Sequence, residues 1–548
     1  MMRLLQLLIL IGLTSPFGCV SQSAPTNQPS VINTERALTE SKRFGKQGEQ
    51  YEQAQRYDEA VALTRKAIFK AQEANALNWL IRWQWQLGRL FKAQRQIDEA
   101  IHAYQQAVQL LVPDNSFRWD MTECQATEES ASLYQKLRPM FFQLADLLLV
   151  RAAIENDSVK PQRDLQQVRQ TIELLKTADL ENYFGDCVTA YQKQQQRVDE
   201  IQDAGAAVIY PILLKERLEL LVSFPRTENR PPIQRFTVNV GEQQVRQTVA
   251  QFREQLETGY DDPDSQSYLP QAQQLYQWLI APLQPTLTQN QIHTLVFVPE
   301  GPLTTIPMAA LHDGNVFLIQ TYALAITPGL TLTAPKAGTL TRDKTVALVS
   351  GLTEEAQGYP KLPYADAEVE AITKQYHNTN QLLNQQFTKA QFVQTLKKPL
   401  NNGASNYNLV HIISHAEFAP NAKDSFIVTY DGKLSVDDLE SIIGLGQHRQ
   451  TPIELLTLSA CNTAKGDQEW AALGLSGVTL KAGARSSLAT LWKAHDKITY
   501  HLINKFYQQP LNKVSKAQAL QQAQQAIIES KYDHPFYWAP LILIGNWL

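Results

Sequence analysis

Glu454-Leu455-Leu456-Thr457-Leu458-Ser459-Ala460-Cys461-Asn462-Thr463-Ala464 is an apolar run that ends abruptly on a thiol and then turns polar. Upstream, Leu409-Val410-His411-Ile412-Ile413-Ser414 is a second apolar run, and it ends on His415. Both have the length and near-continuous hydrophobicity of parallel strands buried on two faces. In open α/β sheets, ligands and chemistry collect in the crevice beyond the carboxyl ends of such strands. Neighbouring strands would deliver a thiol and an imidazole there together, a nucleophile and its base, which is the constellation of a cysteine peptidase. A lone cysteine at a strand end is ordinarily a small buried hydrophobe. It is the pair, in this order and context, that points to catalysis.

Further short apolar runs surround these two, at Thr294–Pro299, Thr345–Ser350 and Ser486–Leu491. They alternate with helical stretches at Ala365–His377, Thr388–Leu396 and Leu473–Ala482. Such alternation predicts a mainly parallel sheet covered by helices on both faces. Ahead of them, Ala206–Leu214 and Arg217–Val222 read as a strand pair, and Pro225, Pro231 and Pro232 mark the loop that follows.

The first part of the chain is helical and repetitive. Arg56-Tyr57-Asp58-Glu59-Ala60-Val61 returns forty positions later as Gln96-Ile97-Asp98-Glu99-Ala100-Ile101. Laid on the tetratricopeptide pattern, the first unit supplies Gly48, Tyr51, Ala60 and Ala67, and the second Leu87, Gly88, Phe91, Ala100, Tyr104 and Ala107. Small residues let two helices approach while an aromatic fills the gap, although the spacing exceeds the usual 34 of that repeat. A third helical region covers Leu133–Val150 and Asp164–Asn182, with Leu165, Val168, Ile172, Leu175 and Ala178 at helical spacing. Stacks of this kind offer a concave surface for a protein partner.

Composition narrows the classes. The net charge is only −4 and there is no basic block or stripe, so a nucleic-acid partner is not expected. No C-x-x-C pair is present, which argues against a cysteine zinc site. His411, His415 and Glu417 lie on a strand-like run rather than on the helix of the familiar zinc motif, so no metal is expected. Gly444-x-Gly446 lacks the third glycine of a nucleotide fingerprint, and no glycine-rich loop with Lys-Ser/Thr supports phosphate chemistry. No cofactor is expected.

Met1-Met2-Arg3 followed by the apolar Leu4–Leu13 reads as an export signal, too short to span a bilayer. Gly18-Cys19 resembles a bacterial lipoprotein cleavage site with Cys19 lipidated, and Pro16 and Phe17 depart from its usual pattern. The expected location is therefore periplasmic or membrane-anchored, with a lipid anchor as the sole membrane contact. In an oxidising compartment Cys124 and Cys187 are candidates for a disulfide that leaves Cys461 free. The domain plan is an export signal over 1–21, a polar linker over 22–40, helical repeats over 41–204 and an α/β domain over 205–548.

The C-terminal part resembles the CHAT domain, a bacterial caspase-like domain found beside tetratricopeptide repeats and related to separases and caspases. The residues that carry the resemblance are Leu295-Val296-Phe297-Val298-Pro299-Glu300-Gly301 with Ile306-Pro307, Val410-His411-x-x-Ser414-His415, and Leu458-Ser459-Ala460-Cys461-x-Thr463-Ala464-x-Gly466. They continue through Ala472-Leu473-Gly474-Leu475, Ala482-Gly483-Ala484-Arg485, Leu491-Trp492, His534-Pro535-x-x-Trp538-Ala539-Pro540 and Gly545-Asn546-Trp547. Ile172–Cys187 is similar to the segment that usually precedes such domains. The resemblance implies all-α tetratricopeptide-like repeats followed by a caspase-like α/β domain with a mainly parallel central sheet.

It also implies His415 as base and Cys461 as nucleophile, with the backbone N–H groups of Ala416 and Cys461 holding the oxyanion. Ala416 stands where many relatives have glycine, and Asn462 where glutamine is common. Separase-like relatives prefer a basic residue before the cut, and Asp424, Asp467 and Asp496 are candidates for the acidic pocket that this requires. Lys465 and Arg485 are expected to be structural. The expected function is a cysteine endopeptidase acting on a protein or peptide, with a partner on the repeats. The alternative is a catalytically silent or gated interaction scaffold.

Overall fold

Three-residue turns centred on Gln55, Asn75 and Arg95 punctuate the first helices every twenty residues, and each central residue is left-handed, with φ of 58°, 49° and 62°. Left-handed backbone costs about 1 kcal/mol or more for residues other than glycine, asparagine least among them. The turns separate α1 (Val31–Gln53), α2 (Tyr57–Glu73), α3 (Leu77–Ala93) and α4 (Ile97–Gln109), which produces the forty-residue period of the sequence. The computed structural model describes residues 31–111, 136–154, 160–184, 205–225, 231–333, 340–397, 407–419, 422–435, 438, 453–459, 462–463, 469, 483–492 and 495–548. Among them no helix is long and apolar enough to cross a membrane.

The chain divides at Gln94/Arg95 into two compact units. In the first, Ala60, Ala67 and Ala71 of α2 are fully buried and let the helices close on one another. Trp83 of α3 is also fully buried; its indole N–H donates to Ser41 Oγ at 3.0 Å, and Ser41 Oγ donates to the Ala67 carbonyl at 2.8 Å. Gly45 lies against the Trp83 ring with no room for a Cβ.

The second unit begins with α4, α5 (Pro139–Ile154) and α6 (Lys160–Phe184) and continues into a large sheet. Its strands are β1 (Ala206–Leu213), β2 (Leu218–Ser223), β3 (Ile233–Val238), β4 (Thr294–Phe297), β5 (Ala323–Ile326), β6 (Val346–Gly351), β7 (Asn378–Leu383) and β8 (Leu409–Ile413). They are followed by β9 (Ala416–Phe418), β10 (Phe426–Thr429), β11 (Gly432–Ser435), β12 (Leu455–Ser459), β13 (Asn462–Thr463), β14 (Ser486–Thr490) and β15 (Leu541–Gly545). The main sheet runs β3-β2-β1-β4-β5-β15-β14-β12-β8-β6-β7, and a small second sheet runs β11-β10-β9-β13. Pairing is parallel in the main sheet except for β1–β2, β2–β3 and β14–β15. The expected helices-then-α/β architecture with a mostly parallel sheet is therefore present.

The longer helices described in the rest of the unit are α7 (Glu242–Glu257), α8 (Leu269–Leu279), α9 (Ala365–Gln375), α10 (Lys389–Lys397), α11 (Asp496–Gln508) and α12 (Lys516–Ile528). Helix α6 is bound along its length to the sheet by buried polar and charged groups. Arg169 donates to Ser223 Oγ, and Glu173 accepts from the Tyr210 hydroxyl and from the amides of Leu330 and Thr331. Lys176 pairs with Glu300, as does Arg138 just ahead of α5, while Asp179 takes a further bond from Arg138. Burial opposes ionisation of Glu300, yet the two cations hold its carboxyl well below the usual range. These groups are satisfied only while α6 stays on the sheet.

Candidate active site

Strands β8 and β12 are buried throughout and pair in parallel, with Leu409 opposite Leu455 and Ile413 opposite Ser459. Beyond them Ser414 N–H donates to the Ser459 carbonyl at 3.2 Å. Both chains then enter the small sheet, where β9 and β13 pair with Glu417 opposite Asn462 and Phe418 opposite Thr463. His415 sits at the junction between β8 and β9, at the carboxyl rim that the sequence pattern predicts.

The half-buried His415 ring places Nε2 at 2.9 Å from the Pro360 carbonyl. A carbonyl only accepts, so Nε2 carries the proton and the neutral ring presents a lone pair at Nδ1. The Tyr359 ring lies 5.1 Å from the imidazole at an interplanar angle of 31°. Tyr359 and Pro360 belong to the loop after β6, which leaves the sheet at Gly351. A Cβ there would strike the Ile413 carbonyl, and that same carbonyl accepts from Leu352 N–H at 2.9 Å. At its far end the loop is held by Asp496, the first residue of α11, whose Oδ2 accepts from Tyr364 N–H at 2.8 Å. Burial pushes the Asp496 carboxyl up, against the pull of the Tyr364 amide and of nearby His415.

A family model of the CHAT domain matches residues 269–546, just over half of the chain. The chain belongs to the CHAT domain family. No curated protein matches the sequence. The CHAT family is caspase-like, so a possible peptidase. In this CHAT domain the matched region opens at α8; β1, β2, β3 and α7 lie outside it, and the three strands extend the same sheet.

Beneath the rim, the CHAT core carries a polar chain that joins four elements. Glu368 of α9 accepts from His411 Nε2–H at 2.7 Å through one oxygen and from Ser459 Oγ–H at 2.9 Å through the other. His411 Nδ1 lies 3.1 Å from the Tyr507 hydroxyl, which lies 2.7 Å from Thr457 Oγ1. Burial pushes the Tyr507 phenol well above its usual pKa, so it remains a donor. All five side chains are buried, and each finds a partner, as buried polar groups require. Glu368 thus joins the end of β12 to the helix that follows the His415-holding loop.

The antiparallel bond from Val428 N–H to the His415 carbonyl (2.8 Å) makes Ala416 and Ile427 a non-hydrogen-bonded pair, which turns the Ala416 amide toward the β13 side. Ala416 has no positive φ, so alanine in the place of glycine carries no backbone strain. Asp496 lies in the neighbourhood of His415. Asp424 is exposed on the turn between β9 and β10, within electrostatic reach of Tyr183. Arg485 pairs with Glu454 at 2.9 Å. Cys461, Asp467, Lys465, the expected helix Leu473–Ala482, Cys19, Cys124 and Cys187 lie outside the described residues.

Sequence reasoning missed Tyr359, Pro360, Glu368 and Ser459. One signal was available for Glu368, a carboxylate standing among Ala365, Val369 and Ile372 on the buried face of α9. A carbonyl such as that of Pro360 leaves no mark in the side-chain pattern.

Proposed function

We propose that the protein is a cysteine endopeptidase in which His415 is the general base and Cys461 the nucleophile. The observation that carries this reading is the bond from His415 Nε2–H to the Pro360 carbonyl, which leaves Nδ1 as the acceptor at the strand rim. The pairings on either side add support. Ser459 and Asn462, which flank Cys461 in sequence, pair with Ile413 and Glu417, which flank His415. Free cysteine has a pKa of about 8.5 and is only slightly ionised at neutral pH, so a partner base is needed.

In the proposed reaction His415 Nδ1 accepts the thiol proton as Cys461 Sγ bonds to the scissile carbonyl carbon. The oxyanion rests on the amides of Ala416 and Cys461. Collapse breaks the C–N bond, and the same proton passes from Nδ1 to the leaving amine. Water, deprotonated at Nδ1, then releases the acid and restores the thiol. Asp496, with Asp424 and Asp467 as alternatives, would favour a basic residue before the cut, and a protein partner would dock on the helical repeats of an exported chain.

The test is labelling of the full chain, under reducing conditions, by a peptidyl acyloxymethyl ketone with arginine at the position before the warhead. Wild type is expected to gain the probe mass, and Cys461→Ala and His415→Ala are expected to gain none. Absence of Cys461-dependent labelling would leave the interaction-scaffold reading in its place.

A further inference from the structure

We propose that Tyr183, at the end of α6, is a positioning residue for the His415–Ala416 hairpin and so links the long helix to the catalytic groups. Its catalytic consequence rests on the peptidase reading above. The Tyr183 hydroxyl donates to the Ala419 carbonyl at 2.8 Å and lies 2.9 Å from Ser425 Oγ. Ser425 Oγ in turn accepts from Ala419 N–H at 2.9 Å. With its one proton committed to Ala419, the phenol oxygen accepts from the Ser425 hydroxyl, and the three groups close a ring.

All three residues are buried, Ser425 completely. Tyr183 and Ser425 are 242 positions apart in the chain, so this is a tertiary contact and not a local turn. Burial pushes the Tyr183 phenol up to about 12, which keeps the donor protonated at any working pH.

Its position gives the ring its meaning. Ala419 directly follows β9, whose first residue is Ala416, and a strand is nearly inextensible at about 3.3 Å per residue. Holding Ala419 therefore fixes how far β9 can slide against β10 and β13. That slide sets the direction of the Ala416 amide and the height of His415 beside Pro360. The other end of the tie is firm, because Glu173 and Lys176 lock α6 to the segments that follow β4 and β5. A rigid helix with its last turn on the His415 hairpin can pass a displacement directly to the site.

Full-length Tyr183→Phe, Ser425→Ala and Ser425→Thr proteins test this with the same ketone probe and with hydrogen exchange read by mass spectrometry. Tyr183→Phe and Ser425→Ala are expected to lower the maximal rate of Cys461 labelling about tenfold, the weight of one buried hydrogen bond. The half-saturating probe concentration should stay unchanged. Ser425→Thr, which keeps the hydroxyl, should recover the rate, and the double variant should be no slower than either single one. Amides of 416–429 should exchange faster in Tyr183→Phe while those of β14 and β15 do not change. A wild-type labelling rate in Tyr183→Phe would overturn the proposal, as would a loss confined to probe affinity. If wild type itself takes no label, the peptidase reading fails, and the exchange arm still decides: unchanged exchange at 416–429 overturns the tie, and faster exchange supports it.

Discussion

Pro360 and His415 stand fifty-five positions apart, and the carbonyl of the first accepts the Nε2 proton of the second at 2.9 Å. A backbone acceptor orients the ring at Nε2 without adding a charge there. The neutral ring is therefore expected in the Nε2–H form. Long-range ¹H–¹⁵N spectra of histidine-labelled protein above pH 7, with His415→Gln to assign the signal, should show a protonated Nε2 and a bare Nδ1. A dominant Nδ1–H form would remove the basis for the proposed base.

Glu368 is the one carboxylate on which both His411 and Ser459 close their bonds. Glu368→Ala would leave two buried donors unpaired, a cost of roughly 2–5 kcal/mol. Glu368→Gln keeps one acceptor and should cost about half as much. Urea unfolding followed through exchange of β8 and β12 amides checks the order. A loss below about 1 kcal/mol in Glu368→Ala would mean that the network is not what holds the two strand ends together.

His534 caps the short helix Pro535–Trp538 by accepting from Phe536 N–H at 3.0 Å, and burial pushes its pKa down to about 4 from the ordinary 6.5. Below pH 6.5 the unfolded chain therefore takes up a proton that the folded chain refuses. Stability is whole above 6.5 and falls as pH drops toward 4, by about 3 kcal/mol at most. His534→Asn keeps the cap acceptor and removes the titration. Its melting temperature should decline less than that of wild type between pH 6.5 and 4; parallel declines would refute the assignment.

Gly45→Ala would drive a methyl into the buried Trp83 ring. Overpacking of this kind costs typically 1–3 kcal/mol. Faster hydrogen exchange across α1 and α3, with no change in the sheet strands, is the expected result. A variant with wild-type exchange in α3 would show that the helices can part at no cost.

Much of this was legible in the residues. The runs ending at His415 and Ser459 declared buried parallel strands, since a strand covered on both faces needs apolar side chains at every position. The forty-residue recurrence announced paired helices because helix contacts repeat with the turns. Strand β7 was not legible: Asn378-Thr379-Asn380-Gln381 is polar, mostly solvent-facing, and is made a strand by its pairing with β6. Strand β5 is four residues long, too short to show a period.

Sequence by itself determined that a histidine and a cysteine follow apolar strands, because the hydrophobic pattern is local and covalent order cannot be shuffled. Tertiary structure alone decided which carbonyl orients His415, which carboxylate gathers His411 and Ser459, and that Tyr183 reaches Ala419. Those partners lie tens to hundreds of residues apart. A hydrogen bond is satisfied by whatever group the packed topology brings within about 3 Å, and nothing in the spacing of either residue records that meeting.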